Sequence, residues 1–117
     1  MAEGDIPDFE IFFPYCHYPA EKHIEVARAA KAAFPDIFQW MKENPDGVSE
    51  DMPGGREKFM RLNSFIEKCL PSAQSIDFRA VSHLVFMAAA YTPQMMENAR
   101  ILEEMRKSEM QKNKSNK

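Results

Sequence analysis

Apolar side chains recur along most of this chain at spacings of three and four residues, which is the period of an α-helix. The repeat is clearest in the stretch 56–70, where Phe59, Leu62, Ile66 and Cys69 share one face. Further helices are predicted over residues 19–33 and 36–43, from Ser75 or Asp77 onward, and from Pro93 onward. The aromatic stretch near the N-terminus alternates instead, as an extended segment does.

Prolines separate these helical stretches from one another. Proline fixes φ and lacks an N–H, so it is tolerated in the first turn of a helix and breaks a helix interior. The prolines at these boundaries are Pro19, Pro35, Pro45, Pro71 and Pro93. The sequence therefore predicts an all-α fold, a compact bundle of four to five short helices with an extended N-terminal arm and a disordered C-terminal tail.

The fourth helix is predicted to be the central element of the bundle. Residues 84–91 are apolar on every side, which is typical of a buried helix. Helices 1, 3 and 5 are expected to pack around it. Residues 1–18 are assigned to a mobile head and aromatic arm, 19–111 to the helical domain, and 112–117 to a disordered basic tail.

Length and composition narrow the class of protein. The chain of 117 residues suits one domain, and no apolar run approaches the length of about 20 residues that a membrane-spanning helix needs. The N-terminus lacks the apolar core of a signal peptide, so both cysteines are predicted to be reduced thiols in the cytoplasm.

Charge is distributed unevenly along the chain, although the net charge is only −3. Residues 1–53 carry 11 acidic and 4 basic side chains, whereas residues 54–117 carry 7 acidic and 11 basic ones. This asymmetry would attract a charged partner or a second copy of the chain. The alternative is that folding brings the two halves together and interleaves their charges.

No catalytic motif is present in the sequence, so the protein is predicted not to be an enzyme. Gly54 and Gly55 lack the lysine and hydroxyl residue of a phosphate-binding loop. Cys16 and His17 are adjacent, but neighbours on an extended segment point to opposite sides, which argues against a catalytic dyad.

Metal and cofactor sites are not predicted either. Structural zinc sites usually have ligands in close pairs, whereas most potential ligands here are scattered. They are Cys16, His17, His23, Cys69 and His83. Cys69 is expected to be a buried thiol on the apolar face of helix 3, and His83 a structural histidine.

A non-enzymatic protein–protein interaction module is the function that the sequence favours. Aromatic residues crowd the N-terminal arm, and unburied aromatic residues usually mark a partner-binding surface. Nine methionines add flexible apolar side chains that suit an adaptable interface. The predicted partner-binding residues are Phe9, Phe12, Phe13 and Tyr15, and the predicted partner is a protein, in the first place a second copy of the chain. The alternative is that the arm folds across its own helices as a lid.

Two other functions are kept as alternatives. Nucleic-acid binding, with RNA as the expected ligand, would use clustered cations on helix 3, at the start of helix 4 and in the C-terminal tail. The residues of the two helices are Arg56, Lys58, Arg61, Lys68 and Arg79, although Glu57 and Glu67 dilute their charge. A small apolar-ligand carrier is the second alternative, because bundles lined by methionine and phenylalanine can enclose pockets.

Overall fold

The structure is a computed structural model that describes residues 4–10 and 16–115, and the side chains of the last helix as far as residue 109. These residues contain five helices and no strand. The helices are α1 (Ala20–Ala33), α2 (Pro35–Glu43), α3 (Gly55–Cys69), α4 (Ser75–Ala90) and α5 (Pro93–Ser115). The predicted all-α fold is therefore confirmed.

Proline stands at the start of three helices, as its chemistry predicts. Pro35 and Pro93 are the first residues of α2 and α5, and Pro19 is the N-cap of α1. At α5 the Thr92 hydroxyl accepts a hydrogen bond from the Met95 N–H at 3.2 Å, which is the cap expected there.

The start of α4 differs from the prediction in one detail. Gln74 is the N-cap, and neither Ser75 nor Asp77 occupies that position. The Asp77 carboxylate accepts the Gln74 N–H at 2.9 Å from inside the first turn. A carboxylate at the third helical residue can accept the backbone N–H of the N-cap residue, so Asp77 stabilises the start of α4 although Gln74 is the N-cap.

Helix α4 lies at the centre of the core, as predicted. Its residues Val81, Leu84 and Val85 are buried, and it packs most extensively against α1 and α2. Helix α2 thus has the place beside α4 that the sequence analysis gave to helix 5. The reason is that Ile37 and Met41 of α2 are almost completely removed from solvent.

The predicted burial of Cys69 is wrong, because this thiol is exposed. The buried face of α3 carries Leu62 and Ile66 and continues to Leu70, which follows the helix and is fully buried. Leu70 lies four residues after Ile66 and Cys69 only three. The row of residues spaced by four is the one that packs against the core, so Cys69 lies at the edge of the buried face.

Three of the described side chains of helix α5 are buried, and all lie in its first half: Met96, Ala99 and Glu103. Met96 and Ala99 contact Met87 of α4, together with the half-buried Phe9 and Tyr91. A helix of 23 residues is about 34 Å long. The molecule accordingly has a longest extent of 49 Å and a shortest of 24 Å.

Helix α5 also includes residues 112–115, where the sequence analysis predicted a disordered tail. Residues 116 and 117 lie outside the described residues. No helix in the described part of the chain is long and apolar enough to cross a membrane.

Residues 4–10 lie against the helices. Ile6 and Pro7 are buried, within the stretch that was predicted to be a mobile head. Lys31 donates a hydrogen bond to the Gly4 carbonyl, and Arg28 contacts the Asp8 carboxylate at 3.0 Å. Burial of this apolar pair explains why the first described residues follow the surface of α1.

Candidate functional site

A fully buried histidine lies between two carboxylates at the junction of the N-terminal segment, α1 and α4. The Nδ1 atom of His23 is 3.0 and 3.1 Å from the two carboxylate oxygens of Glu10. Its Nε2 atom is 2.8 Å from Oδ1 of Asp77. Ionised carboxylates only accept hydrogen bonds, so both ring nitrogens donate when the imidazole is protonated.

Three elements of the chain position these groups. His23 shares the buried face of α1 with Ala27 and Ala30, whose small side chains allow close helix packing. Asp77 is in the first turn of α4. Its Oδ1 also accepts the backbone N–H of Tyr18 at 3.0 Å, while the Tyr18 hydroxyl donates to the Pro71 carbonyl at 2.6 Å. The carboxylate of Asp77 therefore joins the start of α4 to the chain before α1.

The two buried partners have pKa values shifted in opposite directions. Burial alone lowers the pKa of His23, but the hydrogen bonds and charges of Glu10 and Asp77 outweigh it, so the pKa is raised. Burial alone raises the pKa of Asp77, but hydrogen bonds from Gln74, Tyr18 and His23 outweigh it, so this pKa is lowered. Both shifts favour the charged pair.

Cys16 lies beside this pair and is half-buried. Burial, followed by the negative charges of Glu10 and Asp77, raises the pKa of its thiol. A thiol of this kind stays protonated at neutral pH and is a poor nucleophile. The arrangement does not activate Cys16 for covalent catalysis.

Two of the potential metal ligands named from the sequence, Cys16 and His23, lie close together in the structure, and Asp77 joins them. Donor atoms of Cys16, His23 and Asp77 all lie within 4.8 Å of one another. Within the described residues, His17, Cys69 and His83 are not part of this group.

The sequence analysis missed Glu10 entirely and recognised Asp77 only as a candidate cap. One feature of the sequence indicated that His23 has polar partners. His23 occupies the same helical face as Ala27 and Ala30, and an imidazole on a buried face needs polar partners. The sequence does not say which acids supply them, because Glu10 and Asp77 are 13 and 54 residues away.

Of the predicted partner-binding residues, only Phe9 is among the described residues. Its ring is half-buried and packs against Met87, Met96 and Ala99. Phe12, Phe13 and Tyr15 lie outside the described residues. Their proposed role in binding stays a prediction.

The predicted nucleic-acid-binding residues lie on α3 and in the first half of α4. Arg56, Lys68 and Arg79 are exposed. Arg61, by contrast, pairs with the carboxylates of Asp36 at 2.7 Å and Glu57 at 3.3 Å. Lys58 lies over the Trp40 ring, with its Nζ 5.2 Å from the ring centre. Arg61 is thus neutralised by neighbouring acids, which weakens its suitability for phosphate.

A second candidate site is an exposed apolar surface on α5. We define the α5 apolar surface by the four large apolar side chains that are exposed there. They are Met95 (45% exposed), Ile101 (43%), Leu102 (65%) and Met105 (58%). A groove open to solvent runs along Met95, Leu102 and Met105 and is also lined by Asn98 and Arg106, whereas Ile101 lies outside it.

No protein-family model matches the chain, and no curated protein or solved structure is significantly similar to it. The two candidate sites, the buried histidine cluster and the α5 apolar surface, are therefore the observations from which a function can be inferred.

Proposed function

We propose that the protein is a non-enzymatic interaction module of the cytoplasm that self-associates through the α5 apolar surface. The observation that carries the proposal is the exposure of four large apolar side chains on one stretch of a single helix. Contiguous apolar patches of this kind on small proteins usually mark interfaces.

The charge pattern of α5 favours a second copy of the same helix as the partner. Residues 93–104 contain three acidic side chains and one basic one, whereas residues 105–115 contain one acidic and four basic ones. Of the three acids, Glu103 is buried, and Glu97 and Glu104 are exposed and share the single Arg100 between them. Two α5 helices in antiparallel orientation place each acidic half against a basic half. Opposite charges across an interface fix its orientation and suppress wrong pairings.

The positions of the apolar residues agree with a two-fold symmetric contact. Leu102 is the most exposed of the four side chains, and Met95 and Glu109 lie seven residues on either side of it, on the same face of the helix. We place the two-fold axis at Leu102. In an antiparallel pair with its axis at this point, Leu102 meets Leu102 of the partner. Met95 and Met105 supply flexible side chains that can fill the space around it.

Two features of the thiols and the histidine support the non-enzymatic and cytoplasmic parts of the proposal. The Cys16 thiol is kept protonated by burial, and both nitrogens of His23 face carboxylates. Neither group is poised as a nucleophile or a free base. No disulfide is present among the described residues, which suits a reducing compartment.

Self-association is tested by sedimentation equilibrium of the full chain and of two matched variants. Leu102→Asp places two facing carboxylates at the centre of the proposed contact, so we expect a dimeric parent and a monomeric variant. Met60→Asp is the control, because Met60 of α3 is exposed to a similar degree (62%) outside the surface. It should leave the dimer intact.

Circular dichroism and thermal melting should be unchanged in the Leu102→Asp monomer, since the side chain is exposed. A parent that is monomeric at every concentration would contradict the proposal, as would a Leu102→Asp variant that remains dimeric.

The orientation of the two α5 helices is tested in a Cys69→Ser background by mixing chains that carry Met95→Cys with chains that carry Glu109→Cys. Antiparallel pairing predicts a disulfide-linked dimer of the two mixed chains in preference to either chain alone.

A further inference from the structure

The cluster around His23 contains a set of donor atoms with the chemistry of a transition-metal site. The Cys16 sulfur, a ring nitrogen of His23 and a carboxylate oxygen of Asp77 lie within 4.8 Å of one another. Thiolate, imidazole and carboxylate are the ligand types that zinc takes from proteins. A sulfur ligand disfavours magnesium and calcium, which prefer oxygen donors alone.

The spacing of these atoms is close to what one bound ion requires. Ligands placed at zinc-bond distances around a tetrahedral ion are roughly 3.3 to 3.7 Å from one another. The three donors come from the turn before α1, from α1 itself and from the first turn of α4. An ion would replace the proton between Nε2 of His23 and Oδ1 of Asp77, which are 2.8 Å apart, so these two atoms would separate by about 0.5 Å. The half-buried Cys16 side chain would shift toward the ion, since its donor atom lies within 4.8 Å of the other two.

Glu10 occupies the position of the outer partner that metal-binding histidines usually have. Its carboxylate faces Nδ1 of His23 at 3.0 Å, so Nδ1 keeps its proton and Nε2 is the nitrogen that faces Asp77. A carboxylate on the far nitrogen fixes the ring tautomer and orientation and makes the other nitrogen a better ligand.

The charge of the cluster suits a divalent cation. Glu10 and Asp77 bring two negative charges to one imidazole, so the cluster is negative even with His23 protonated. A divalent ion that replaces the Nε2 proton and the thiol proton leaves the net charge unchanged. Metal binding at such a site releases protons and does not increase the buried charge.

We propose that Cys16, His23 and Asp77 bind one Zn²⁺ per chain, with Glu10 as the positioning residue of His23. This differs from the sequence-based expectation that the chain holds no metal, and it is independent of dimerisation through α5. The ion would tie the segment before α1 to the two most extensively packed helices. Three protein ligands leave the fourth position of a tetrahedral ion to water, and the predicted contribution of the ion is to the stability of the fold.

The test is a titration of the chelator-treated full chain with Zn²⁺, in competition with a chromophoric chelator, and with Co²⁺ followed by absorption. We expect one equivalent to bind, a sulfur-to-cobalt charge-transfer band, and a melting temperature that rises with Zn²⁺ concentration. Absence of stoichiometric binding in the parent would overturn the proposal.

Variants at matched positions separate this site from others. Cys16→Ser should abolish the charge-transfer band, whereas Cys69→Ser and His17→Asn should keep both the band and the affinity. Glu10→Gln should keep the band and weaken Zn²⁺ binding by about tenfold, as for other outer partners of a metal-bound histidine. A band that persists in Cys16→Ser and disappears in Cys69→Ser would place the metal elsewhere and overturn the assignment. Cys16 is half-buried, so the serine variant is expected to fold, and circular dichroism checks this.

Discussion

A buried imidazole between two carboxylates is stabilising only while its positive charge is present. Both nitrogens of His23 face oxygen acceptors, and a neutral ring has one N–H to donate. Loss of the proton leaves one carboxylate facing a nitrogen lone pair inside the protein. Each pKa unit by which folding raises the value for His23 corresponds to about 1.4 kcal/mol of stability.

The sign of this effect predicts the pH dependence of stability in metal-free protein. The folded-state pKa of His23 lies above its ordinary value of 6.5, so its contribution is complete below pH 6.5 and is lost as the pH rises through the folded-state value. Asp77 acts in the opposite sense. The pKa of Asp77 is held below 3.8, so its contribution to the stability of the fold is present above pH 3.8. That contribution is lost as the pH falls through the lowered pKa.

Histidine NMR titration measures the prediction directly, since the rings titrate separately. His23 should titrate above 6.5, and His83, whose pKa is lowered by burial, should titrate below it. Glu10→Gln removes the negative charge that faces Nδ1 and should lower the pKa of His23. A His23 ring that titrates below 6.5 in the parent would show that burial outweighs its partners.

At the scale of elements, α4 and α5 show two ways in which an apolar helix is used. α4 is buried on several sides, with Ala80, Val81, Leu84 and Met87 all inaccessible to solvent. α5 buries Met96 and Ala99 on one side and leaves Met95, Ile101, Leu102 and Met105 exposed. We therefore expect substitutions in α4 to affect folding and substitutions on the α5 apolar surface to affect association.

Val85→Asp tests the central position of α4. The Val85 side chain is 2% exposed, so the new carboxylate would be buried without a partner. We expect a loss of at least about 3 kcal/mol in the free energy of unfolding, measured by urea denaturation. Arg79→Asp, on the exposed face of the same helix, is the control and should change stability by less than about 1 kcal/mol. Equal unfolding curves for Val85→Asp and the parent would contradict the central role of α4.

At the scale of the whole molecule, the N-terminal segment is connected to the domain at several separate points. Ile6 is buried in the main core, Phe9 packs near α5, and Glu10 faces His23. The Tyr18 N–H then bonds to Asp77. These contacts favour the lid interpretation for the described part of the arm, because they cover the domain's own residues.

Deletion of residues 1–15 should therefore destabilise the protein. It removes the buried Ile6 and the carboxylate that faces Nδ1 of His23, and we expect a loss of about 2 kcal/mol or more, seen as a melting temperature lower by roughly 8 °C or more. Dimerisation through α5 should persist in the truncated chain. Deletion of residues 1–3 alone is the control, and it should leave melting unchanged.

An unchanged melting temperature after deletion of residues 1–15 would contradict the lid interpretation. Loss of the dimer in a truncated chain that still folds would instead assign the interface to the aromatic arm. Sedimentation and thermal melting of the same two truncations distinguish these results.

Local sequence signals determined most of the helical architecture. Pro35, Pro93 and the Thr92 cap fix helix starts through properties of single residues, and the three- and four-residue spacing of Leu62 and Ile66 follows from the helical period. The same signals predicted a central fourth helix. These features depend on contacts within a few residues along the chain, so the sequence contains them directly.

Only the tertiary structure decided which distant residues meet. Glu10, His23 and Asp77 come together because α1 packs on α4 and Glu10 of the N-terminal segment lies beside His23, and no local pattern in the sequence encodes that contact. The same holds for Cys69 and Leu70, where the packing of α3 decides which neighbour is buried. Exposure of the α5 apolar surface likewise depends on how much of α5 the domain covers. The physical reason is that burial is a property of the packed helices, whereas periodicity is a property of each helix alone.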